Sequence, residues 1–444
     1  MRNRDPWLNT PLDITRSCIR ILNLHKGSDD MPIICSLEVA SLDDSPYYET
    51  LSYVWGDPND TKSITVNGIT FNATANLFGF LHCLRLPTAD RCIWADAICI
   101  DQQNDKEKSH QIVLMSKIYQ QAKETHVYFG PFCTTGTNSW QWEIAHDEGY
   151  DIARQFTPKM WEEVARESAQ DLGYFLKEEG FKPLSRQEYH DFYQRCVDDI
   201  FQETLKVLDK MAGTGDGEHL YEYPVFFFID EEGGRRRDGL NTCWFTVMDC
   251  IHWLLTRKWW TRVWTLQEAV LPHIDPIVHA PPYSFRLSRL LNGVYAMLHH
   301  NSQSCCKWFG YVIRTEYRDS YEGRHYAQAR SVIEQRRSLT YERQRSLQPE
   351  EVTVPLADVV QSILGRQATE IRDRWFGILG FLPPEWQKED SNSSGWTTAE
   401  LFTKCSKLIF SSSGDLTRMS FARRQRHSQV SGLPSWALDL SVEF

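Results

Sequence analysis

No apolar run in the chain reaches the roughly 18 residues that a helix needs to cross a bilayer. The longest apolar burst, Val225 to Ile229, suits a short buried strand instead, so no membrane span is expected. Met1 to Pro6 carry no apolar stretch of the secretory kind, and the expected location is the cytoplasm. The 12 cysteines include no C-x-x-C pair and follow no framework spacing, which points to reduced, mostly buried thiols. His299, His300, Cys305 and Cys306 lie close together but fit no zinc pattern, so no metal is expected. A G-x-S-x-G elbow is missing, which sets aside a serine hydrolase of that design. Internal repeats and long low-complexity tracts are also lacking. Basic residues are in deficit, 48 against 59 acidic, for a net charge of −11. That balance argues against a global electrostatic grip on nucleic acid or acidic lipid. The local basic runs, Arg235–Arg237 and Arg330 to Arg345, read as solvated surface.

What is present is a globular composition: 41% hydrophobic and 24% charged residues, over a length of 444 that favours more than one module. The 16 tryptophans exceed ordinary usage, and part of that excess suits the lining of a cleft.

Cys18 to Leu24 alternates as a strand does, and Ile33 to Val39 follows across a Gly27–Asp30 turn, which suggests a hairpin. Thr50 to Trp55 reads as a buried strand running into the loop Gly56–Asp60. Asn67-Gly68 marks a second hairpin within Ser63 to Phe71. Leu77, Phe80, Leu81 and Leu84 have helical spacing behind Asn76 as a candidate cap. Arg91 to Ile100 reads as a further strand, Asp105 as the cap of a helix through Ala122, and His126 to Phe129 as a strand stopped by Gly130-Pro131. Strands alternating with helices predict an α/β fold with a mainly parallel sheet, whose core includes Leu51–Val54, Cys92–Ala95 and His126–Phe129. The expected organisation is an α/β core over 1–133, a mainly helical insertion over 134–244, a return to the core over 245–284 and a mainly helical region over 285–444. Helices are expected near Pro158–Glu179 and Gln187–Ala212. The glycine-rich Gly213–Gly217 stretch trails a helix and reads as a loop, not a phosphate site. Pro276 to His279 reads as a strand, and Phe376, Ile378, Leu379 and Trp436 are expected to be buried.

Six blocks in order resemble the fungal heterokaryon-incompatibility (HET) domain family. They are Tyr47–Asp57 (similar to Y-E-A-L-S-Y-x-W-G-D), Ile93–Gln102 (L-W-I-D-A-I-C-I-N-Q), and Glu107 through Ala122 (E-K-x-x-Q-x-x-x-M-x-x-I-Y-x-x-A). Arg262–Glu268 (R-x-W-x-x-Q-E), Arg372–Gly380 and Leu433–Asp439 (L-P-S-W-x-x-D) complete the set. Ala95 and Asp101 depart from the second block. The resemblance implies a role in programmed cell death on non-self recognition. A more remote likeness to TIR domains rests on the strand-to-loop segment Leu51–Asp57 and on the W-x-x-x-E pair Trp264 and Glu268. It implies a TIR-like or Rossmann-like sheet and NAD⁺ cleavage, with Glu268 as the catalytic residue.

Four residues apart on a helix, Trp264 and Glu268 share a face. A fixed carboxylate suits the oxocarbenium-like ribose formed when nicotinamide leaves, and an aromatic wall suits the base. Ser52, Trp55, Asp57 and Asp96 are expected at the carboxyl edge of the sheet, where α/β folds bind nucleotides. NAD⁺ is then a substrate rather than a cofactor. The alternative is a non-catalytic death-signalling module that works by assembly. Under either reading the expected partners are an unknown protein, such as an incompatible-allele product, and further copies of the chain on activation.

Overall fold

Strand β1, Cys18–Leu24, buries nearly every side chain and pairs antiparallel with β2, Ile34–Ser41, so that Cys18 lies opposite Ser41 and Leu24 opposite Cys35. The chain is described by a computed structural model over residues 6–132, 201–202, 204–212, 227–229, 235–240, 250–251, 253–302, 324–345, 356–382, 396–413 and 430–441. The helix expected near Pro158–Glu179 and the 213–217 loop lie outside the described residues.

The three expected core segments are neighbours in one sheet. Strand β3, Glu49–Ser52, runs parallel to β6, Arg91–Trp94, on one side and to β7, Glu124–Tyr128, on the other. Between β3 and β6 the chain makes a second hairpin, β4 (Thr61–Val66) with β5 (Ile69–Thr74). Its turn is Asn67-Gly68 with φ of 51° and 75°, the left-handed pair that a two-residue hairpin of this hand requires. A small separate antiparallel pair, β8 (Phe227–Ile229) with β9 (Arg235–Leu240), and a helical stretch at 204–212 fall inside the expected insertion. Strands β10 (Ile277–Ala280) and β11 (Tyr283–Arg286) complete a nine-stranded sheet of order β11-β10-β7-β3-β6-β1-β2-β4-β5. Parallel pairing joins β10-β7-β3-β6 and β2-β4, and the remaining pairs are antiparallel. The sheet is thus mixed, because strands joined by short turns, such as β1-β2 and β4-β5, can only return antiparallel.

Several boundaries differ from the sequence expectation. Helix α1, Ala75–Leu84, is capped by Thr74, whose Oγ1 accepts from the backbone N–H of Leu77; the Asn76 amide instead donates to the Val54 carbonyl at 3.0 Å. Strand β6 stops at Trp94, and Asp96–Cys99 forms a helical turn, α2. A continuous apolar run carries no period that separates strand from buried helix there. Helix α3, Asp105–Gln121, is capped by Asn104, not Asp105. β11 extends the sheet where the chain reads as turning helical; four residues are too few to display a period.

Side chains alternate across the sheet, so Thr50, Ser52 and the register partner Trp94 share one face. Trp94 meets Tyr119 of α3 edge-on there, with ring centroids 5.9 Å apart. On the opposite face Phe80 of α1 stacks on Tyr128 at 4.8 Å. A tight 3-10 turn, Lys258–Thr261, then leads to helix α4, Thr265–Val270, which packs against α3.

The remaining described helices are α5 (Leu287–Ser302), α6 (Arg324–Arg345), α7 (Leu356–Ile363), α8 (Asp373–Phe376) and α9 (Thr398–Ser413). Ile378 and Leu379 are buried and Phe376 is partly so, whereas Trp436 keeps 38% of its surface exposed and leans on Phe410. Trp436 therefore corrects the expectation of burial: its ring lies tilted against Phe410, 6.1 Å between centroids, and remains partly open to solvent. The fully buried Arg366 donates to the carbonyls of Trp260 at 2.5 Å, Ser362 at 2.9 Å and Gln328 at 2.9 Å, joining α6 and α7 to the 3-10 turn.

Candidate functional site at the carboxyl end of the central strand

β3 is the strand around which the connections divide. From β3 the chain returns as β6 on one side, and from β6 it returns as β7 on the other. In open α/β sheets the crevice for a ligand forms outside the carboxyl ends of strands at such a division. Ser52 is the last residue of β3, and Asp96 opens the helical turn just beyond β6.

Glu268 comes to this edge from α4. It is only 5% exposed and accepts a hydrogen bond from the Ser52 hydroxyl. Ser52 Oγ in turn accepts from the indole N–H of Trp259 at 2.7 Å. Trp259 is itself buried, packed on Phe129 and Trp260 with ring centroids 5.6 and 4.8 Å away. The Tyr119 hydroxyl lies beside Glu268 and donates to the Leu51 carbonyl at 2.8 Å. Burial pushes the Glu268 carboxyl up to about 7, and nearby Asp96 pushes the same way. The Arg262 guanidinium and the Ser52 and Tyr119 hydroxyls oppose that rise. Arg262 is anchored through Nη1 to the Tyr53 carbonyl.

The second group of the edge centres on Asp96. Its carboxylate accepts from the Tyr53 hydroxyl at 3.0 Å and from the Trp55 indole at 2.8 Å. Trp55 is 38% exposed, so this half of the edge is open to solvent. Asp57 lies further out on the exposed loop, where its carboxylate accepts from the Asn59 backbone at 2.8 Å.

The structure thus brings Ser52, Trp55, Asp96 and Glu268 to one edge, leaves Asp57 on the outer loop, and turns Trp264 elsewhere. The Trp264 indole donates to Asp373 at 3.3 Å, and its ring packs between the two hydrophobic clusters of the molecule. Trp264 and Glu268 do keep helical spacing, with the Glu268 N–H bonded to the Trp264 carbonyl at 3.3 Å. Ser52 and Glu268 are buried, so neither is a rim group. Sequence reasoning missed Trp259, Tyr53, Tyr119 and the electrostatic part of Arg262. Arg262 opens the R-x-W-x-x-Q-E block and Tyr119 lies in the third block, but spacing alone does not show what they touch.

Comparison with known proteins agrees with this anatomy. A family model described as "Heterokaryon incompatibility protein (HET)" matches residues 48–268. The match opens one residue before β3 and closes on Glu268, so both ends of the hydrogen-bonded pair fall within it. The chain is also similar to "Heterokaryon incompatibility protein 6, OR allele" of Neurospora crassa, 27% identical over 269 residues. That alignment covers 57% of this chain and 32% of the relative, so the chain spans about a third of the relative's length. No solved structure matches the chain. The six sequence blocks and the family match converge: residues 48–268 of the chain form a HET domain.

Proposed function

We propose that the chain is a cell-death effector of the heterokaryon-incompatibility type, and that it acts by cleaving NAD⁺ at the β3 edge. The incompatibility role follows the family match and the printed name of the Neurospora relative. The observation that carries the catalytic reading is a buried carboxylate, Glu268, hydrogen-bonded to the terminal residue of the central strand. Perturbed carboxylates in such crevices are where catalytic groups concentrate. The remote TIR likeness supplies the reaction class.

In this reading the bond from ribose C1′ to the nicotinamide nitrogen breaks, and its electron pair leaves with the nicotinamide. The ring is cationic beforehand and becomes neutral on departure, so no general acid is required. Ionised Glu268 stabilises the positive charge on the ribose, and water adds to C1′ and gives up a proton. Asp96, held by Tyr53 and Trp55, faces the open side, where ribose hydroxyls offer donors to it. Activation would come through an incompatible-allele product or through assembly of copies of the chain.

The test uses cells in which the wild type is toxic. Glu268→Gln keeps the size of the side chain and its acceptor for Ser52 but removes the negative charge. NAD⁺ should persist and killing should stop. If a stably expressed Glu268→Gln protein kills as efficiently as the wild type, catalysis is excluded and the assembly module stands.

A further inference from the structure

We propose that Trp259 and Ser52 form a proton-direction lock on Glu268, positioning residues that hold its carboxylate in the ionised form the reaction uses. The inference rests on the NAD⁺-cleaving reading for its purpose, but the lock can be observed without it.

The argument starts from donor inventory. An indole N–H can only donate, whereas a serine hydroxyl has one proton to give and lone pairs to accept with. Trp259 Nε1 donates to Ser52 Oγ at 2.7 Å, so Ser52 is the acceptor in that bond. Its own proton then points along the remaining contact, to Glu268 Oε2. A hydroxyl that donates to a carboxylate favours the charged form, and one that must accept from a carboxylic acid favours the neutral form. By occupying one of the two lone pairs of Ser52, Trp259 favours the first arrangement, in which the hydroxyl proton has Glu268 as its acceptor. Without the indole, Ser52 is free to rotate and accept a proton from neutral Glu268.

The lock matters because the other forces on Glu268 oppose one another, with burial the largest of them. Burial between β3, α3 and α4 disfavours the charge, as does Asp96 beyond β6, and Arg262 on the 3-10 turn side favours it. From α3 the Tyr119 hydroxyl faces it and favours the charge, its single proton shared with the Leu51 carbonyl. From α8, Asp373 approaches Trp264 and Arg262, and burial raises its own carboxyl. The carboxylate sits at about 7, so one hydrogen bond decides whether it is mostly ionised near neutrality. Both lock residues are fully enclosed, which removes water as a substitute donor.

The experiment follows the Glu268 titration in the full chain by pH-difference infrared spectroscopy, using Glu268→Gln to identify its carboxyl band. Trp259→Phe keeps a ring against Phe129 and Trp260 but has no N–H. Ser52→Ala removes the donor, and Ser52→Thr restores the hydroxyl. The Glu268 midpoint should rise by about one to two pH units in Trp259→Phe and Ser52→Ala, as the loss of a charge-assisted hydrogen bond implies. In Ser52→Thr it should stay near the wild-type value. An unchanged or lowered midpoint in folded Trp259→Phe or Ser52→Ala overturns the lock. Should Trp259→Phe fail to fold by circular dichroism, the Ser52→Ala and Ser52→Thr pair decides. Catalysis gives a second readout: in Trp259→Phe, kcat for NAD⁺ should fall about tenfold near neutrality and recover in alkaline buffer, with KM unchanged. If toxic wild-type protein leaves NAD⁺ intact, the proposed function fails while the titration still judges the lock. If NAD⁺ is cleaved but the midpoint does not move, the lock alone fails.

Discussion

Bringing a carboxylate into the space between β3, α3 and α4 costs it hydration, and Glu268 recovers only part of that through Ser52, Tyr119 and Arg262. Its folded value of about 7 lies above the ordinary carboxylate value of 4.5. The folded protein therefore binds the Glu268 proton more tightly than the unfolded chain does. The associated stability is fully present below 4.5 and is lost as pH rises through about 7. Glu268→Gln fixes the neutral form, so the variant should match the wild type in acid and exceed it above pH 7, by about 1–3 kcal/mol in denaturant melts. A variant less stable than the wild type in alkaline buffer would contradict this charge assignment. At this scale the sequence was only partly readable. The TIR likeness, through its W-x-x-x-E pair, singled out Glu268, the strand-to-loop segment Leu51–Asp57 singled out Ser52, and the end of the neighbouring strand singled out Asp96. Nothing local showed that Ser52 meets Trp259, which lies 207 residues away, or that the Trp264 indole turns to Asp373, 109 residues away. Such partners are chosen by the packing of β3, α4 and α8.

Elements were more legible where their signals are local. Asn67-Gly68 specified its hairpin because both residues adopt positive φ, which few other pairs tolerate. The helical spacing of Ile112, Met115, Tyr119 and Ala122 marked one face of α3, on which Met115 and Tyr119 are buried and Ile112 and Ala122 half-buried. Caps slipped by one or two residues, as at Thr74 and Asn104, because neighbouring polar side chains offer nearly equal oxygens. The antiparallel flanks were harder to assign, since a strand's pattern does not name its neighbour. One close approach between elements gives a direct test. Gly380 belongs to the short turn Leu379–Phe381, which packs on α3 and α4. A Cβ there would stand 2.6 Å from Gln267 Oε1, from Leu271 Cδ1 and from Ser116 Cβ. Two of these cannot simply swing away: Gln267 is tied to the Phe376 carbonyl at 2.8 Å, and Ser116 is fixed at its own Cβ. Gly380→Ala should therefore destabilise by about 1–3 kcal/mol through overpacking, read as a lower urea midpoint with an unchanged slope. A neutral result would mean that the turn can withdraw from α3 and α4.

Across the whole molecule, the family match ends at Glu268, yet the surroundings of the site do not end there. Asp373 receives the Trp264 indole, and the Phe376 carbonyl receives Gln267. The Val263 N–H donates to the Gln367 carbonyl at 2.9 Å. Arg366 is the centre of this connection, with donors on Trp260, Ser362 and Gln328 carbonyls. Burial lowers its guanidinium to about 9, the signature of a cation taken out of water, but its planar fork is well suited to several carbonyls at once. Such a group is structural, and its loss should be transmitted along the backbone that it holds. Arg366→Met keeps much of the volume but takes the guanidinium donors from the Trp260 and Ser362 carbonyls, a buried carbonyl left unsatisfied costing about 1–3 kcal/mol, while the Gln328 carbonyl keeps the Ser331 hydroxyl. The expected outcome is a loss of roughly 2–4 kcal/mol in stability, since part of that cost is relieved by rearrangement. More telling is where the loosening appears. Amide exchange should accelerate in the 3-10 turn Lys258–Thr261 and in α4, carrying Trp259 and Glu268 with them, while β1 and β2 keep their protection. Acceleration confined to α6 and α7 would instead mean that the C-terminal helices rest on the α/β core without holding the β3 edge in place.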